Sequence, residues 1–251
     1  MSLAPIKRFV FGHIYIAVRF VGSRLMNILP HLFRMRFKPN FLRTLPPRAR
    51  ILDVGCGNDS PRHVKEVRPD TIYTGIDIGD YNQTDSATRF ADEYLIIAPD
   101  EFAPTIAGFK GQFDGIISAH NLEHCNAPFD VLSAMIQAIK PGGKLYLSFP
   151  CEESVFFPSR RGTLNFYDDD THKHVLPFDQ ILKYLRENGC AIEFSAKRYR
   201  PFPLFVLGFF SEPESIAKNQ VIDGTWAYWG FESLIWARRQ TQASNERDNH
   251  G

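Results

Sequence analysis

Apolar residues in this chain fall into short runs separated by polar, turn-rich segments, and the runs change period as the chain proceeds. Ile51-Leu52-Asp53-Val54 is a buried-strand pattern that ends in Gly55-Cys56-Gly57. Thr71 to Ile78 is apolar and β-branched, with one acid, Asp77, near its end. Glu93 to Ile97, the run from Phe113, Lys144 to Phe149, Ala191 to Arg200 and Phe231 to Ala237 supply five further strand candidates. Between them the period becomes helical: Phe129, Leu132, Met135, Ile136 and Ile139 share one face of a segment opened by Pro128, and Ile181, Leu182 and Leu185 share another. Ser60 and Pro61 supply a helix start after the glycine turn, and Ala98 to Phe109 suits a helix after the third strand. Short strands alternating with amphipathic helices predict an α/β fold with a mostly parallel sheet.

The glycines set the chemistry in question. Without a Cβ, Gly55 and Gly57 allow a sharp turn and close approach of a ligand to the backbone, although a plain tight turn shows the same residues. The third glycine of a dinucleotide fingerprint is absent, because Ser60 stands there, which disfavours a pyrophosphate cradle. Asp77, about 20 residues beyond the turn, is placed to accept hydrogen bonds from a ribose diol.

Asp53-Val54-Gly55-Cys56-Gly57-Asn58 resembles the first motif of class I S-adenosylmethionine-dependent methyltransferases, and Gly75-Ile76-Asp77-Ile78 resembles the second. Asp59 stands where many members have a third glycine. The run from Phe113 to Phe149, with Lys140-Pro141-Gly142-Gly143 ending a helix before a strand, is similar to that family's fourth strand, helix and fifth strand. The likeness extends over about Arg50 to Arg239 and is closest to small-molecule, type 11-like members. It implies a Rossmann-like, mostly parallel seven-stranded sheet with helices on both faces, to which this chain adds an N-terminal helical segment. It also implies S-adenosyl-L-methionine as cofactor. Asp53, Gly55, Cys56 and Gly57 then lie against the methionine portion and Asp77 and Ile78 line the adenosyl portion, while Asp100 or Glu101 is either the acid near the adenine or a solvated or capping acid.

Candidate catalytic groups follow the fourth strand. His120 and His124 flank Asn121-Leu122-Glu123 close to where a methyl group would sit. Imidazole titrates near neutral pH and suits a general base, and the same resemblance puts His120 near the cofactor. Leu-Glu-His also recurs in the family where it is architectural, and Glu123 either orients a histidine or forms a surface pair. Arg160 and Arg161 read as an anion clamp for the acceptor or as an exposed basic pair. His172 and His174, with Asp168 to Asp170, match no zinc spacing, so no metal site is expected. A loop cluster that binds the acceptor, or a solvated turn, is the reading there. Cys56, between the glycines, reads as a small apolar side chain.

The totals refine this picture. At 251 residues the chain can hold one α/β domain with additions, or at most two small domains. Its four cysteines form no C-x-x-C pair, which suits a reducing, cytoplasmic setting. Ten Lys or Arg and no acid lie between Met1 and Leu52, leaving 19 basic and 28 acidic residues in the remainder. Residues 1–48 therefore read as a basic, apolar helical cap or interfacial segment, with Arg34 to Arg50 an irregular connector. Peripheral contact with an inner membrane surface through residues 1–38 is the alternative to a packed cap. The apolar run from Phe9 to Val18 is too short to span a bilayer. Residues 49–240 form the methyltransferase domain, with insertions at 151–176 and 201–224, and 241–251 a polar tail. Pro201 to Phe210 reads as a lid, a partner surface or core.

No Asn/Asp-Pro-Pro-Tyr/Phe motif follows the fourth strand, where the chain has Ser118-Ala119-His120-Asn121, so nucleic acid is not the expected partner. The expected function is methyl transfer to a small molecule, a saccharide or a lipid-linked acceptor. The rival readings are an NAD(P)-dependent Rossmann oxidoreductase and a non-catalytic, membrane-associated or partner-binding module with the same fold.

Overall fold

A computed structural model describes residues 35–241. The helix expected within residues 1–33 and the polar tail from 242 lie outside the described residues. Seven strands form one sheet: β1 (Arg50–Val54), β2 (Ile72–Asp77), β3 (Glu93–Ile96), β4 (Phe113–Ala119), β5 (Ile139–Pro150), β6 (Cys190–Ala196) and β7 (Glu232–Arg239). Their spatial order is β3-β2-β1-β4-β5-β7-β6. Only β7 runs against its neighbours, pairing antiparallel with both β5 and β6. The chain leaves β1 toward β3 on one side and returns through β4 on the other. The topological switch, where open α/β sheets bind ligands, therefore falls between β1 and β4.

The two-residue period of the central strands sorts their side chains onto two cores. Leu52, Ile116, Leu145, Leu147 and Ile235 face one side, under helices that include α4 (Pro128–Ala138) and α5 (Phe178–Glu187). Ile51, Ile117, Tyr146, Leu234 and Trp236 face the other. That second core is closed by α1 (Lys38–Leu42) and α2 (Ser60–Val67), and α3 (Phe102–Gly108) contributes to the first. The described part of the supposed connector, Met35 to Arg50, is therefore structured. Its Phe41, Leu42 and Leu45 are buried in the second core, with the Phe41 ring 5.5 Å from those of Tyr146 and Trp236.

Two further expectations are corrected. Ser60 does not cap α2. Asp59 occupies the cap in the left-handed conformation, and the Ser60 hydroxyl is spent on Asp53. The Pro-Gly-Gly segment does not separate α4 from a later strand. β5 begins at Ile139, and the glycines make a bulge in its pairing with β4, between the Phe113 and Gly115 registers. Pro201 to Phe210 is helical: α6 runs from Phe202 to Lys218, with Pro203 in its first turn, and α7 covers Thr225–Trp229. The two meet without side chains between them, since a Cβ on Gly208 would lie 2.1 Å from the Gly224 carbonyl. Among the described residues no helix is long and apolar enough to cross a membrane.

Segments 151–176 and 201–224 fold onto one another. Cys151, Phe157, Leu164 and Phe231 form a small core of their own, with Val221, Trp226 and Trp229 packed against it. Arg160 is the polar tie. Its guanidinium is 5% exposed and forms a two-pronged pair with Glu212 of α6, at 2.9 and 2.7 Å, and it also donates to Ser215 at 2.8 Å. Arg160 is therefore engaged within the fold and does not face an anionic acceptor. The neighbouring Arg161 bonds the Lys218 carbonyl at 3.2 Å. Removing one partner of such a pair strands the other charge, and Glu212→Gln is expected to lower unfolding free energy by about 3–5 kcal/mol. Denaturant unfolding of the variant measures this, and a loss below about 1 kcal/mol would show the pair to be solvated.

Candidate functional site

The carboxyl ends of β1, β2 and β4 converge on one edge of the sheet. After Val54 the chain turns through Gly55 at φ +78, and Asn58 and Asp59 are also left-handed, at +55 and +54. A Cβ on Gly55 would sit 2.5 Å from the Asn121 side chain, so only glycine fits under the segment after β4. A Cβ on Gly57 would meet the Tyr81 carbonyl at 3.2 Å. Asn and Asp tolerate left-handed φ better than most residues, which is how Asp59 serves where a glycine is the easier choice. Its carboxylate then accepts from the Thr84 N–H at 2.6 Å and the Thr84 hydroxyl at 2.5 Å. The turn is thereby tied to the segment that follows β2.

Asp53 is buried beneath this turn. It accepts from the Ser60 hydroxyl at 2.5 Å and the Tyr73 hydroxyl at 2.9 Å, and Lys38 Nζ donates to the same Ser60 oxygen at 2.8 Å. Burial, with Asp53 adjacent, pushes the Tyr73 phenol well above its ordinary range, so it remains a donor. The contacts of Asp53 are thus to the elements that hold the turn. Cys56 points the same way: its thiol is buried, would lie 2.8 Å from a Cβ on Gly75, and is held protonated by burial and by the nearby Asp53 and Asp77.

Asp77 ends β2 beside Gly57, with its carboxyl 7% exposed and accepting from the Ile78 N–H at 2.7 Å. Burial raises its pKa; the N–H groups of Ile78, Gly57 and Gly79 oppose that rise without cancelling it. Ile78 itself is exposed next to it. Asp100 and Glu101 are exposed on the turn before α3, beyond the end of β3.

The other half of the edge is built around His120. Its backbone is left-handed, at φ +50, and its N–H donates to the Ser148 carbonyl at 2.9 Å. Nδ1 lies 3.2 Å from Glu123 Oε1, and Nε2 lies 3.2 Å from Glu232 Oε1. The ring lies near Trp226 at 5.2 Å and is stacked with Phe231 at 6.2 Å. Burial alone would lower its pKa. The two carboxylates outweigh burial and raise it to about 10. At neutral pH His120 is thus an imidazolium that donates from Nε2 to Glu232, with Nδ1 facing Glu123 as an ion pair without a well-aligned hydrogen bond, and it has no lone pair with which to take a proton.

Glu232 has no counterpart in the sequence reading. It arrives because β7 is antiparallel, so its first residue pairs with Pro150 at the carboxyl end of β5. It also lines a cavity of about 410 Å³ whose walls include Phe37, Tyr199, Pro201, Leu204 and Trp226. Of the remaining loop groups, Asp168 accepts from the N–H groups of Arg160, Leu164 and Asn165. His124 and His172 lie ring to ring at 4.8 Å, whereas the His174 N–H bonds the Glu123 carbonyl at 3.1 Å.

Among known families, residues 29–193 match the one described as a methyltransferase domain. Ubiquinone biosynthesis O-methyltransferases of Nitrosococcus oceani and Dechloromonas aromatica are 36% and 31% identical over 104 residues, or 39% of this chain. The matches cover 42% and 43% of those proteins, so the alignment spans less than half the length of these curated relatives. The crystal structure of an S-adenosylmethionine-dependent methyltransferase from Mesorhizobium loti superposes with a TM-score of 0.56 at 20% identity, covering 79% of this chain and 96% of that one. A cyclase superposes at 0.51 with 15% identity, over 81% of this chain and 80% of its own, so likeness at this level speaks for the fold alone.

The clamp has a readable pH signature. Its contribution to stability is fully present below about 6.5, the ordinary imidazole value, and is lost as pH rises through about 10. Glu232→Gln removes one of the two carboxylates and is expected to move the His120 titration downward. Ring NMR titration of the variant measures it, and an unmoved titration would detach Glu232 from His120.

Proposed function

Because the chain belongs to the S-adenosylmethionine-dependent methyltransferase family, we propose that it methylates a hydroxyl group on a small acceptor with an apolar body. The observation that carries this reading is that two half-sites both lie at the carboxyl ends of the parallel strands, with His120, at the end of β4, 3.2 Å from Glu232. The glycine turn with Asp77 forms one, and the Glu232-lined aromatic cavity forms the other, with His120 between them.

The first half-site fits an adenosyl ligand. Gly55 and Gly57 leave the backbone free of Cβ atoms where any side chain would strike Asn121 or Tyr81. Asp77, whose carboxylate is disfavoured by burial, gains from two hydroxyl donors of a ribose, and Ile78 offers an apolar surface beside it. Bound there, S-adenosylmethionine supplies a methyl group already activated by its sulfonium. Asp53, through Ser60 and Tyr73, keeps the turn in place, and Cys56 serves as packing beneath it.

In the second half-site the aromatic walls orient the acceptor and exclude water. Glu232 is the group we assign to receive the acceptor proton as the acceptor oxygen takes the methyl group. His120, charged, holds Glu232 by its Nε2–H and so acts as a positioning residue. His124, turned toward His172, takes no direct part in this scheme. A largely apolar lining favours a compact ring or short chain over a saccharide. The names of the curated relatives, O-methyltransferases of ubiquinone biosynthesis, agree with an apolar hydroxylated acceptor.

Thermal unfolding with added ligand tests the first half. S-Adenosylhomocysteine at about 100 times its dissociation constant is expected to stabilise the fold by roughly 2.7 kcal/mol, and NAD to leave the midpoint unchanged. A shift with NAD alone would transfer the chain to the oxidoreductases. Asp77→Ala is expected to weaken S-adenosylhomocysteine binding by about 1–3 kcal/mol in calorimetry. Glu232→Gln should leave that binding intact while lowering turnover about 10²–10⁴-fold; equal losses in both would make Glu232 structural.

A further inference from the structure

Behind His120, three side chains that the sequence keeps apart come together. Glu123 and His124 belong to the helical turn Leu122–His124 after β4, and His172 comes from the loop at 151–176. One potential ligating atom from each lies within 4.8 Å of the others. The loop is pinned over the turn by its backbone, since the Lys173 and His174 N–H groups donate to the Glu123 carbonyl at 2.8 and 3.1 Å, and Lys173 Nζ reaches Asn126 at 2.9 Å.

The hydrogen bonds assign the tautomer of both rings. His172 Nδ1 lies 2.6 Å from the Phe166 carbonyl, which can only accept. Nδ1 therefore carries the proton, and Nε2 keeps its lone pair in the neutral ring. His124 Nδ1 lies 2.9 Å from the Thr171 hydroxyl, whose own proton goes to Asp169 at 2.5 Å. That hydroxyl accepts, so His124 also carries its proton on Nδ1 and presents Nε2. An imidazole fixed by a hydrogen bond at its far nitrogen is the usual state of a metal-ligating histidine.

Glu123 is the independent observation. It is 0% exposed, and neither carboxylate oxygen has a hydrogen-bond partner of good geometry. Its nearest cation, His120, stands off at 3.2 Å and is shared with Glu232. A carboxylate buried with unfilled lone pairs is costly, and a cation at the two free imidazole nitrogens would meet it. Asp169 faces the same place, with Oδ2 3.9 Å from His172 Nε2, but its Oδ1 is taken by the Thr171 N–H and hydroxyl.

We propose that Glu123, His124 and His172 form a binding site for one divalent transition-metal ion of the zinc type. Two imidazoles and one carboxylate are a donor set that suits such an ion and leaves a further position open. The ion would lock the 151–176 loop to the end of β4 next to the proposed acceptor cavity. The inference concerns binding and does not depend on methyl transfer.

The test uses the full chain without an affinity tag, stripped with chelator and titrated with ZnCl₂ alone in a calorimeter. One equivalent is expected to bind saturably. His172→Asn keeps an amide donor for the Phe166 carbonyl while deleting Nε2, and Glu123→Gln keeps the shape while deleting the charge. Each is expected to weaken binding at least about 10-fold. No saturable binding by the wild type, or unchanged affinity in both variants, would overturn the site and assign any uptake to other histidines. Should a variant fail to fold, Cu²⁺ loaded at one equivalent into the wild type gives hyperfine structure that counts coordinated nitrogens. Two imidazole nitrogens support the site, and fewer overturn it.

Discussion

The imidazolium of His120 is the interaction on which the rest of the ligand edge depends. It joins elements that pack on different sides of the sheet edge: Glu123 on the turn after β4, and Glu232 at the start of the antiparallel β7. Trp226 and Phe231, which enclose the ring, belong to the inserted α6–α7 region and its entry into β7. Without a charge on His120, a buried carboxylate and a half-buried one would face each other across a neutral ring. The separation between them would then have to grow or one of them would have to take up a proton. The left-handed backbone at His120 belongs to the same arrangement. A non-glycine residue at φ +50 is strained, and strain of this kind persists where surrounding contacts over-determine the conformation. Here the Ser148 carbonyl, two carboxylates and two aromatic rings do so.

Much of the sheet was legible because its signals are local. Leu145, Tyr146 and Leu147, and likewise Leu234, Ile235 and Trp236, alternate between two cores, so both faces are buried and each strand reads in sequence as a continuous apolar run. The glycine turn and Asp77 were legible for the same reason, since a missing Cβ and an acid at a strand end act within a few residues of their positions. The parts that escaped are set by pairing over long separations. Glu232 reaches the edge only because β7 reverses direction, which no periodicity reports. Arg160 resembled an anion clamp until Glu212, 52 residues away, was placed against it. His124 and His172 are joined by the loop's return to the Glu123 carbonyl, whereas the sequence groups His172 with His174, two residues on.

Two local preferences yield for a common reason. Ser60 is a good capping residue by type and Pro201 to Phe210 is poor helix sequence by type, yet the first is drawn into the buried Asp53 network and the second into a helix. In both, a tertiary demand outweighs propensity differences of roughly 1 kcal/mol or less per residue. Asp53 would be left with one fewer donor if Ser60 turned back to cap α2. α6 buries Leu207 and Ser211 and brings Glu212 to Arg160 only as a helix. Pro203 is harmless in its first turn, where its missing N–H has no helical partner.

Fold likeness by itself leaves the chemistry open, since a cyclase shares the architecture as closely as several methyltransferases do. The chemistry read for this chain rests instead on the charge arrangement at the edge. One imidazolium faces two carboxylates, so the ionised trio carries one net negative charge in surroundings with little water. That imbalance can be met in two places. On the cavity side, Glu232 can accept a proton released by an acceptor hydroxyl. On the loop side, Glu123 can share a cation with His124 and His172. The two are coupled through a single ring, because whatever draws Glu123 away from Nδ1 alters how firmly Nε2 holds Glu232. Occupancy of the loop-side position would thereby bear on the group assigned to take the acceptor proton, through His120.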